Sequence, residues 1–377
     1  MTGFLRIKIF FLAAVFALLV GLCLNPVTRV AAGEMAIEKQ KVDDLTLIPA
    51  DAELVLNAPW ARTKSDTGFP SNELYVMTST GENITQITHH RKLYEHMAVS
   101  PDRKKIVTAR FERDTNGDGK ITWQDRKTIW ILDLENKEEW PLAAEYNAGW
   151  GGVDWAPDSQ HVYFSGLKDF KFDIYRINID GTGLFNVTKD IEKTLDPGRT
   201  GKWVSDVSVS DDGQWIVFVY TPKIGKGPWD FVKKSIVAVC RTDGTQPRKV
   251  TDGGPLPPGQ MGEFPAGDFD PEFSPDGRYL CFARATDRAM NWGLSSYDVM
   301  TIGVDGRDLK RVSPENNRAS QAAPDWSHDN RIVFTEINQA RLYLSPAMVN
   351  ADGSDYHRLT KVPLGGGYVR WIPPLKK

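Results

Sequence analysis

An internal repeat is the feature that most constrains how this chain can fold. Each unit contains a short apolar strand, a tight turn built on Asp, Gly or Asn, and a second strand of alternating bulky residues. The units are AVSPDRKKIVTARF from Ala98, DWAPDSQHVYFSG from Asp154, SVSDDGQWIVFVY from Ser208, EFSPDGRYLCFAR from Glu272 and DWSHDNRIVFTE from Asp325. Recurrence at such spacing predicts an array of similar β units.

A hairpin follows each unit, and in most of them Asp-Gly supplies the positive φ of the turn. The hairpins are TIWILDLENKEEWPL from Thr128, DIYRINIDGTGLFNVT from Asp173, SIVAVCRTDGTQPRKVT from Ser235, YDVMTIGVDGRDLKRVS from Tyr297 and RLYLSPAMVNADGSDYHRLT from Arg341. The two halves together make a four-stranded antiparallel unit. Because one such unit cannot bury both of its faces, several are expected to pack around an axis as a β-propeller.

The two ends of the chain complete the predicted ring. ELVLNAP from Glu53 and ELYVMTSTGENITQIT from Glu73 match the second, third and fourth strands of a unit, and GYVRWIP from Gly367 matches a first strand. Joining these segments in one sheet would leave no exposed edge. The sequence therefore predicts an all-β, six-bladed β-propeller over residues 50–374, closed by its N- and C-terminal strands.

The repeated pattern also resembles a known family. An aromatic residue, Ser-Pro-Asp-Gly, an apolar strand, Ile-Tyr or Leu-Tyr and an Asp-Gly hairpin ending in Leu-Thr are similar to the repeats of the TolB family of bacterial periplasmic propellers. The resemblance implies the propeller architecture and the binding of other molecules. It does not extend to the α/β domain that precedes the propeller in TolB proteins.

The N-terminus has the layout of a secretory signal peptide. Arg6 and Lys8 precede an apolar run at 9–24, and small residues follow at Ala31 and Ala32. We expect a signal peptide at 1–32, an extension at 33–49, and a periplasmic or secreted location. An uncleaved membrane anchor is the alternative, because the apolar run is long for a signal core.

Net charge limits the class of partner, and the cysteine content limits the possible disulfides. Removal of residues 1–32 takes away three basic residues and no acid, so the net charge changes from −3 to −6. This balance argues against nucleic acid as a partner, and we expect a monomer. Cys240 and Cys281 would remain, either as one disulfide or as buried thiols.

Long loops are predicted at only one end of the propeller, which makes that end the candidate binding face. Aromatic residues in and near these loops would suit a protein or glycan partner of the cell envelope, although they could instead cover the blade ends. The predicted contacts are Trp60, Trp123, Trp229 and Trp292. The long loops are 60–72, 112–127, 221–234, 252–268 and 284–296.

The segment DTNGDGKITWQD at 114–125 has the pattern of a calcium-binding loop. Asp114, Asn116 and Asp118 occupy loop positions 1, 3 and 5, Lys120 offers a carbonyl at position 7, and Asp125 closes the loop at position 12. Calcium is therefore the expected cofactor, with a structural role in stiffening the loop and orienting Trp123. The alternative is a Gly-Asp-rich hairpin that binds no ion.

Polar residues on the predicted innermost strands point to the central channel: His96, Asp154, Asp206, Asp270, Glu272, Asp325 and Arg370. Their carboxylates could hold a cation or a cationic side chain, or could accept backbone hydrogen bonds from neighbouring blades. No nucleophile motif G-x-S-x-G occurs, so we expect a non-enzymatic binding protein. The alternative is a metal-assisted polysaccharide lyase or other hydrolytic propeller, with His96 and Asp270 or Glu272 at the channel mouth.

Overall fold

The computed structural model describes residues 38–58, 72–90, 92–112, 114–119, 121, 125–148, 151–199, 201–225, 234–255, 266–289, 295–314, 319–338, 343–359 and 368–375. The predicted signal peptide at 1–32 lies outside these residues. The division into signal peptide, extension and propeller therefore stays a prediction.

Strands make up nearly all of the regular structure in the described part of the chain. The first twelve are β1 (Gln40–Lys41), β2 (Leu54–Ala58), β3 (Glu73–Met77), β4 (Thr85–Gln86), β5 (Leu93–Val99), β6 (Lys105–Phe111), β7 (Lys127–Asp133), β8 (Glu138–Leu142), β9 (Val153–Trp155), β10 (His161–Lys168), β11 (Lys171–Asn178) and β12 (Phe185–Asn186). A one-turn helix, α1 (Glu192–Leu195), follows β12.

The remaining strands continue the same pattern. They are β13 (Lys202–Val209), β14 (Trp215–Pro222), β15 (Lys234–Arg241), β16 (Arg248–Lys249), β17 (Ala266–Phe273), β18 (Tyr279–Ala289), β19 (Ser295–Gly303), β20 (Lys310–Arg311), β21 (Ala319–Trp326), β22 (Arg331–Asn338), β23 (Tyr343–Asn350), β24 (His357–Arg358) and β25 (Val369–Trp371). Within the described residues, no helix is long and apolar enough to cross a membrane.

The strands form an all-β propeller of antiparallel sheets. Three sheets have four strands each, in the orders β12-β11-β10-β9, β21-β22-β23-β24 and β25-β2-β3-β4. In the last of these, Leu54 pairs with Trp371 and Leu56 with Val369. The prediction that the two ends of the chain share one sheet is therefore confirmed.

Two sheets differ from the simple four-stranded unit. One has five strands, in the order β1-β8-β7-β6-β5, because β1 pairs with β8. The other has eight strands, because β15 and β17 pair in parallel through Lys234 with Ala266 and Ser235 with Gly267. The sequence pattern did not predict β1, since two residues are too few to show a periodicity.

One predicted loop is shorter than expected. The segment 284–296 was expected to be a long excursion, but β18 continues to Ala289 and β19 begins at Ser295. Ala285 pairs with Tyr297, and the register shifts before Ala289 pairs with Ser295. The turn residues at 284–296 therefore did not end the strands, because cross-strand pairing prevailed over local turn preference.

The core lies between neighbouring sheets. In one cluster, Ile131 of β7 and Trp140 of β8 pack with Trp155 of β9 and Phe164 of β10. In the next, Ile174 of β11 packs with residues of β13, β14 and β15. The alternation of bulky residues in each unit thus supplies both faces of a sheet, as stacking around an axis requires.

The repeated Ser-x-Asp sequence builds the turn after four of the innermost strands, β5, β13, β17 and β21. Ser210 Oγ donates to Asp212 Oδ1 at 2.6 Å and accepts the N–H of Trp215 at 3.0 Å. Ser274 Oγ and Asp276 make the same contact at 2.8 Å. Gly213 and Gly277 adopt the positive φ of this turn, +68° and +66°, without strain. These turns keep the connections between the first two strands of a unit short.

Both remaining cysteines are free, buried thiols. Cys240 lies on β15 and Cys281 on β18, in separate apolar clusters. Burial raises the pKa of the Cys240 thiol to about 12. Of the two alternatives that the sequence left open, a disulfide or buried thiols, the structure therefore shows buried thiols, which are unreactive.

Candidate functional site

A small cavity lies where the innermost strands meet. Its walls come from β5, β13, β17, β21 and β25 and from the residues just before β9. Six of the lining residues occupy the same position in their units, three residues before the end of the innermost strand. They are His96, Gly152, Asp206, Asp270, Ala323 and Tyr368. Glu272 and Arg370 extend the lining. The cavity volume is about 30 Å³.

Repeated β-bulges aim backbone and side chains into this cavity. The register of β13 shifts between Ser205 and Ser208, and that of β17 between Phe269 and Glu272. At these bulges Asp206 and Asp270 adopt left-handed φ angles of +52° and +51°. A bulge bends its strand and redirects a side chain, so both carboxylates lie at the cavity instead of continuing the strand alternation.

Gly151 makes room for the Asp206 carboxylate. Its φ is +116°, and a Cβ there would lie 1.6 Å from Asp206 Oδ1. The neighbouring Gly152 has a φ of +35°, and a Cβ would lie 2.5 Å from the backbone nitrogen of Val207. The two glycines therefore allow the approach to β9 to pass directly against β13.

The channel carboxylates hydrogen-bond the backbone of the next innermost strand. Asp154 Oδ2 accepts the N–H of Val209 at 2.8 Å, and Asp270 Oδ2 accepts the N–H of Ala323 at 3.0 Å. The N–H of Asp270 in turn donates to the Asp206 carboxylate. Each acid thereby links two innermost strands at the axis.

Arg370 carries a positive charge into this acidic region. Its Nη2 lies 2.5 Å from Glu272 Oε1, and its Nε lies 3.4 Å from Asp325 Oδ2. The surrounding carboxylates raise the pKa of Arg370, despite the burial that opposes its charge. Arg370 therefore stays protonated and partly neutralises the channel.

Burial raises the pKa values of the channel acids. The pKa of Asp154 is raised to about 6, mainly by burial. The pKa of Asp206 is raised well above its usual value by burial and by the nearby charge of Asp270. The pKa of Glu272 is also raised by burial, although Arg370 opposes the shift. These side chains hold protons more readily than exposed carboxylates.

His96 is neutral in this environment. Burial lowers its pKa well below the ordinary value, and the charges of Lys127 and Arg370 lower it further. Its ring lies 4.4 Å from the Tyr368 ring, measured between centroids. The seven residues predicted for the channel thus lie on the innermost strands, with His96, Asp206, Asp270, Glu272 and Arg370 lining the cavity.

Sequence reasoning missed three groups at this site. Tyr368 lines the cavity, and Lys127 forms an ion pair with Glu95 at 2.7 Å between Nζ and Oε2. Alignment of GYVRWIP with the other units would have placed Tyr368 level with Asp270. The Lys127–Glu95 contact joins residues of β7 and β5, and no local pattern announces it.

The predicted calcium loop lies between β6 and β7, where the sequence placed it. Asp114 accepts the N–H groups of Gly117 and Gly119 at 2.6 and 2.7 Å. Asn116 Oδ1 accepts the N–H of Asp118 at 2.9 Å. Asp125 Oδ1 accepts the N–H of Thr115 at 2.7 Å. Hydrogen bonds to the backbone, chiefly from Gly119, lower the pKa of Asp114.

The donor atoms of this loop suit calcium, but their side chains are not grouped around one point. Asp114, Asn116, Asp118 and Asp125 supply only oxygen donors, as a hard cation requires. Among the residues that the structure describes, however, no three His, Cys, Asp or Glu side chains are grouped as metal ligands. Lys120, the expected carbonyl ligand, lies outside those residues. Calcium binding therefore stays a prediction.

The four tryptophans predicted to contact a partner, Trp60, Trp123, Trp229 and Trp292, also lie outside the described residues. Two other aromatic residues of the same end are described. Phe172 is buried and its ring lies 5.5 Å from that of Trp203. Phe170, in contrast, is 55% exposed.

Comparison with solved structures identifies the fold. TolB from Acinetobacter baumannii matches with a TM-score of 0.55 and 17% identity, covering 86% of this chain and 68% of that one. A putative TolB from Agrobacterium tumefaciens matches with a TM-score of 0.54 and 16% identity, covering 85% and 98%. The chain has the fold of the TolB propeller. The resemblance seen in the sequence repeats is thereby confirmed at the level of structure.

The TolB-like fold is shared more widely. A chain of a nidogen/laminin complex matches with a TM-score of 0.53 and 10% identity, covering 86% of this chain and all of that one, 100%. No protein-family model and no curated protein matches the sequence. Because propellers of different function share this architecture, function has to be argued from the site.

Proposed function

We propose that this protein is an exported, non-enzymatic propeller that binds a protein or glycan partner of the cell envelope at its long-loop end. The asymmetry of the two ends carries the proposal. One end has tight turns such as those at Gly213 and Gly277. At the other end, the connections that follow β2, β6 and β14 and that precede β17 are long in sequence. Loops on a rigid scaffold are where binding residues concentrate.

We also propose six blades. The eight-stranded sheet then counts as two blades, because β15 and β17 are joined by only two residue pairs. Each half has four strands in the same antiparallel order. The sheet β25-β2-β3-β4 supplies the blade shared by the two ends of the chain.

Calcium at 114–125 is proposed as a structural ion. The loop leaves β6 and returns to β7 at the long-loop end. Asp125 is buried, and its carboxylate accepts the N–H of Thr115, so it ties the end of the loop to its beginning. An ion bound by the side chains of Asp114, Asn116, Asp118 and Asp125 and by the carbonyl of Lys120 would hold the loop in one conformation. This loop carries Trp123. A periplasmic or secreted monomer is proposed as the working form.

Binding is favoured over catalysis by the size of the axial cavity. A buried water needs about 10–15 Å³, so a cavity of about 30 Å³ holds about two waters. A sugar ring does not fit. His96 is neutral and lies with Asp270 and Glu272 on the cavity wall, so the lyase alternative would need a substrate held above the channel mouth.

Capture of partners from envelope fractions, with calcium and with chelator, tests the proposal. Trp229→Ala should lose a partner that the parent protein retains. Phe185→Ala is the matched control, because Phe185 is a 39% exposed aromatic on the outer strand β12. Identical partners for parent and Trp229→Ala would place the binding site elsewhere. Cleavage of envelope polysaccharide with appearance of an unsaturated product would instead establish the lyase.

A further inference from the structure

The hairpin that joins β10 and β11 has an unusual turn. Lys168 pairs with Lys171, so Asp169 and Phe170 form a two-residue turn. Their φ angles are +51° and +59°. Turns of this kind favour Asn and Gly, and a bulky residue at positive φ is a genuine outlier. The backbone conformation therefore disfavours Phe170.

Burial does not compensate for this conformation, because 55% of Phe170 remains exposed. Its neighbour Phe172 behaves in the opposite way and is buried against Trp203. The hairpin thus holds an aromatic side chain outward at its tip at a conformational cost. Strain of this kind justifies a hypothesis of function when it is observed directly.

A second exposed apolar residue lies on the neighbouring sheet at the same end. The ring contact between Phe172 and Trp203 joins β11 to β13. Trp203 pairs with Thr221 of β14, and the N–H of Lys223 donates to the carbonyl of Gly201 at 2.9 Å. Ile224, the next residue, is 54% exposed.

Lysines flank both apolar tips. Lys168 and Lys171 stand on either side of the Asp169–Phe170 turn and are exposed. Lys168 Nζ lies 4.7 Å from the Tyr146 ring centroid and 4.0 Å from Glu145 Oε1, so this lysine is only loosely paired. Lys223 precedes Ile224. Three cations therefore accompany Phe170 and Ile224, with Asp169 and Glu145 as the nearby acids.

We propose that the Phe170 hairpin, with Lys223 and Ile224, binds the surface of an anionic lipid bilayer. Phe170 projects from the tip of its hairpin and Ile224 is exposed at the start of the connection after β14. Exposed apolar side chains of this kind suit insertion between headgroups better than the filling of a protein pocket. The lysines match the negative charge of such a surface. This membrane contact is separate from the proposed protein or glycan partner and does not depend on the binding of that partner.

Sedimentation with lipid vesicles tests the inference on the exported protein. The protein should bind vesicles made of equal parts phosphatidylcholine and phosphatidylglycerol, bind phosphatidylcholine alone much more weakly, and dissociate as salt increases. Lys168→Gln with Lys171→Gln should weaken binding roughly fivefold per lysine. Lys104→Gln with Lys137→Gln is the matched control at the tight-turn end and should bind as the parent does.

Phe170→Gly distinguishes a loss of membrane contact from a loss of folded protein. Glycine adopts positive φ freely, so the melting temperature should not fall, while vesicle binding should drop several-fold. Phe185→Ala should leave vesicle binding unchanged. Absence of binding to anionic vesicles, or equal binding by the parent, Phe170→Gly and the double lysine variant, would overturn the inference. Loss of envelope-protein capture in Phe170→Gly without loss of vesicle binding would do so too, by assigning the hairpin to an acidic protein partner.

Discussion

Asp325 holds Trp371 through both its side chain and its main chain. Its Oδ2 accepts the backbone N–H of Trp371 at 2.5 Å, and its carbonyl oxygen accepts the indole N–H at 3.1 Å. Trp371 lies on β25, which also pairs with β2 at Leu54. The C-terminal strand is therefore fixed on one side by a β ladder and on the other by Asp325, together with the ion pair of Arg370 and Glu272.

Asp325→Ala should destabilise the protein substantially. The substitution leaves the N–H of Trp371 without its acceptor and removes one of the two carboxylates beside Arg370. We expect the free energy of unfolding to fall by about 2–4 kcal/mol in denaturant titration. Asp329→Ala removes an acid from an exposed turn nearby and should have a much smaller effect. Equal losses would show that Asp325 does not secure the C-terminal strand.

The axial acids should make stability depend on pH. Asp154 has a folded-state pKa of about 6, raised from 3.8 by burial, with Arg370 opposing the shift and Asp325 adding to it. A raised pKa means that the folded state binds the proton more tightly, so this contribution is present below about pH 4 and is lost as the pH rises through about 6.

Asp154→Asn should therefore flatten the stability profile between pH 4 and 6 relative to the parent. Unfolding in urea at a series of pH values measures the two slopes. Asp180→Asn, in an exposed turn, serves as the control. If the parent and Asp154→Asn had parallel profiles in this window, Asp154 would not be the group that titrates.

Much of the fold could be predicted because each strand carries its own signal. Ser-x-Asp and Asp-Gly mark turns, and alternating bulky residues mark strands, so the pairing of Leu54 with Trp371 followed from matching the two ends to the repeat. The bulges at Asp206 and Asp270 could not be predicted in the same way. A bulge sets two residues against one on the partner strand, and that register depends on contacts across the sheet.

The candidate site was predicted in its residue types more than in its interactions. The inward acids Asp154, Asp270 and Asp325 were recognised, and accepting backbone hydrogen bonds from neighbouring blades was one of the two roles expected for them. Which backbone N–H each acid contacts depends on the spacing of neighbouring innermost strands. The ion pair of Lys127 with Glu95 joins two nonadjacent strands. These hydrogen bonds and this ion pair form between residues that are distant in the sequence, so no local sequence pattern predicts them.

The calcium prediction is tested by thermal unfolding with calcium and with chelator. At a tenfold excess of free ion over the dissociation constant, binding to the folded state adds about 1.4 kcal/mol, so the melting temperature of the parent should rise. Asp118→Ala should abolish the rise. Asp180→Ala, an equally exposed turn acid, should retain it. A rise of the same size in Asp118→Ala would contradict a calcium site at 114–125.

Gly151→Ala should damage the axis far more than the same change at a turn glycine. A Cβ at Gly151 would meet the Asp206 carboxylate at 1.6 Å, whereas a Cβ at Gly277 meets nothing within 4 Å. Both residues have positive φ, so each substitution carries a backbone cost of about 1 kcal/mol. Denaturant titration should show a larger loss for Gly151→Ala. Similar losses would mean that Asp206 can move away without consequence.

Arg110 provides the test of a buried ion pair outside the axis. Its guanidinium is fully buried, contacts both oxygens of Glu139 at 2.7 and 2.8 Å, and lies 3.8 Å from the centroid of Trp130. Burial would raise the pKa of Glu139, yet its hydrogen bonds with Arg110 lower that pKa overall. Arg110→Met would leave this carboxylate without its main partner and should reduce the free energy of unfolding by about 3–5 kcal/mol.

Arg110→Met combined with Glu139→Met should recover part of that loss, because the more buried of the two carboxylates paired with Arg110 is removed together with its partner. The other carboxylate, Glu112, lies 2.8 Å from Arg110 Nη2 and keeps a contact with Lys92 at 3.4 Å. The matched control is the exposed pair of Lys104 with Glu135, whose Nζ and Oε2 lie 2.9 Å apart. Lys104→Met should change stability little, since solvent screens that pair. A double variant at Arg110 and Glu139 that is no more stable than Arg110→Met would show that charge pairing with Glu139 is not what Arg110 contributes, which leaves its packing on Trp130 and its ion pair with Glu112.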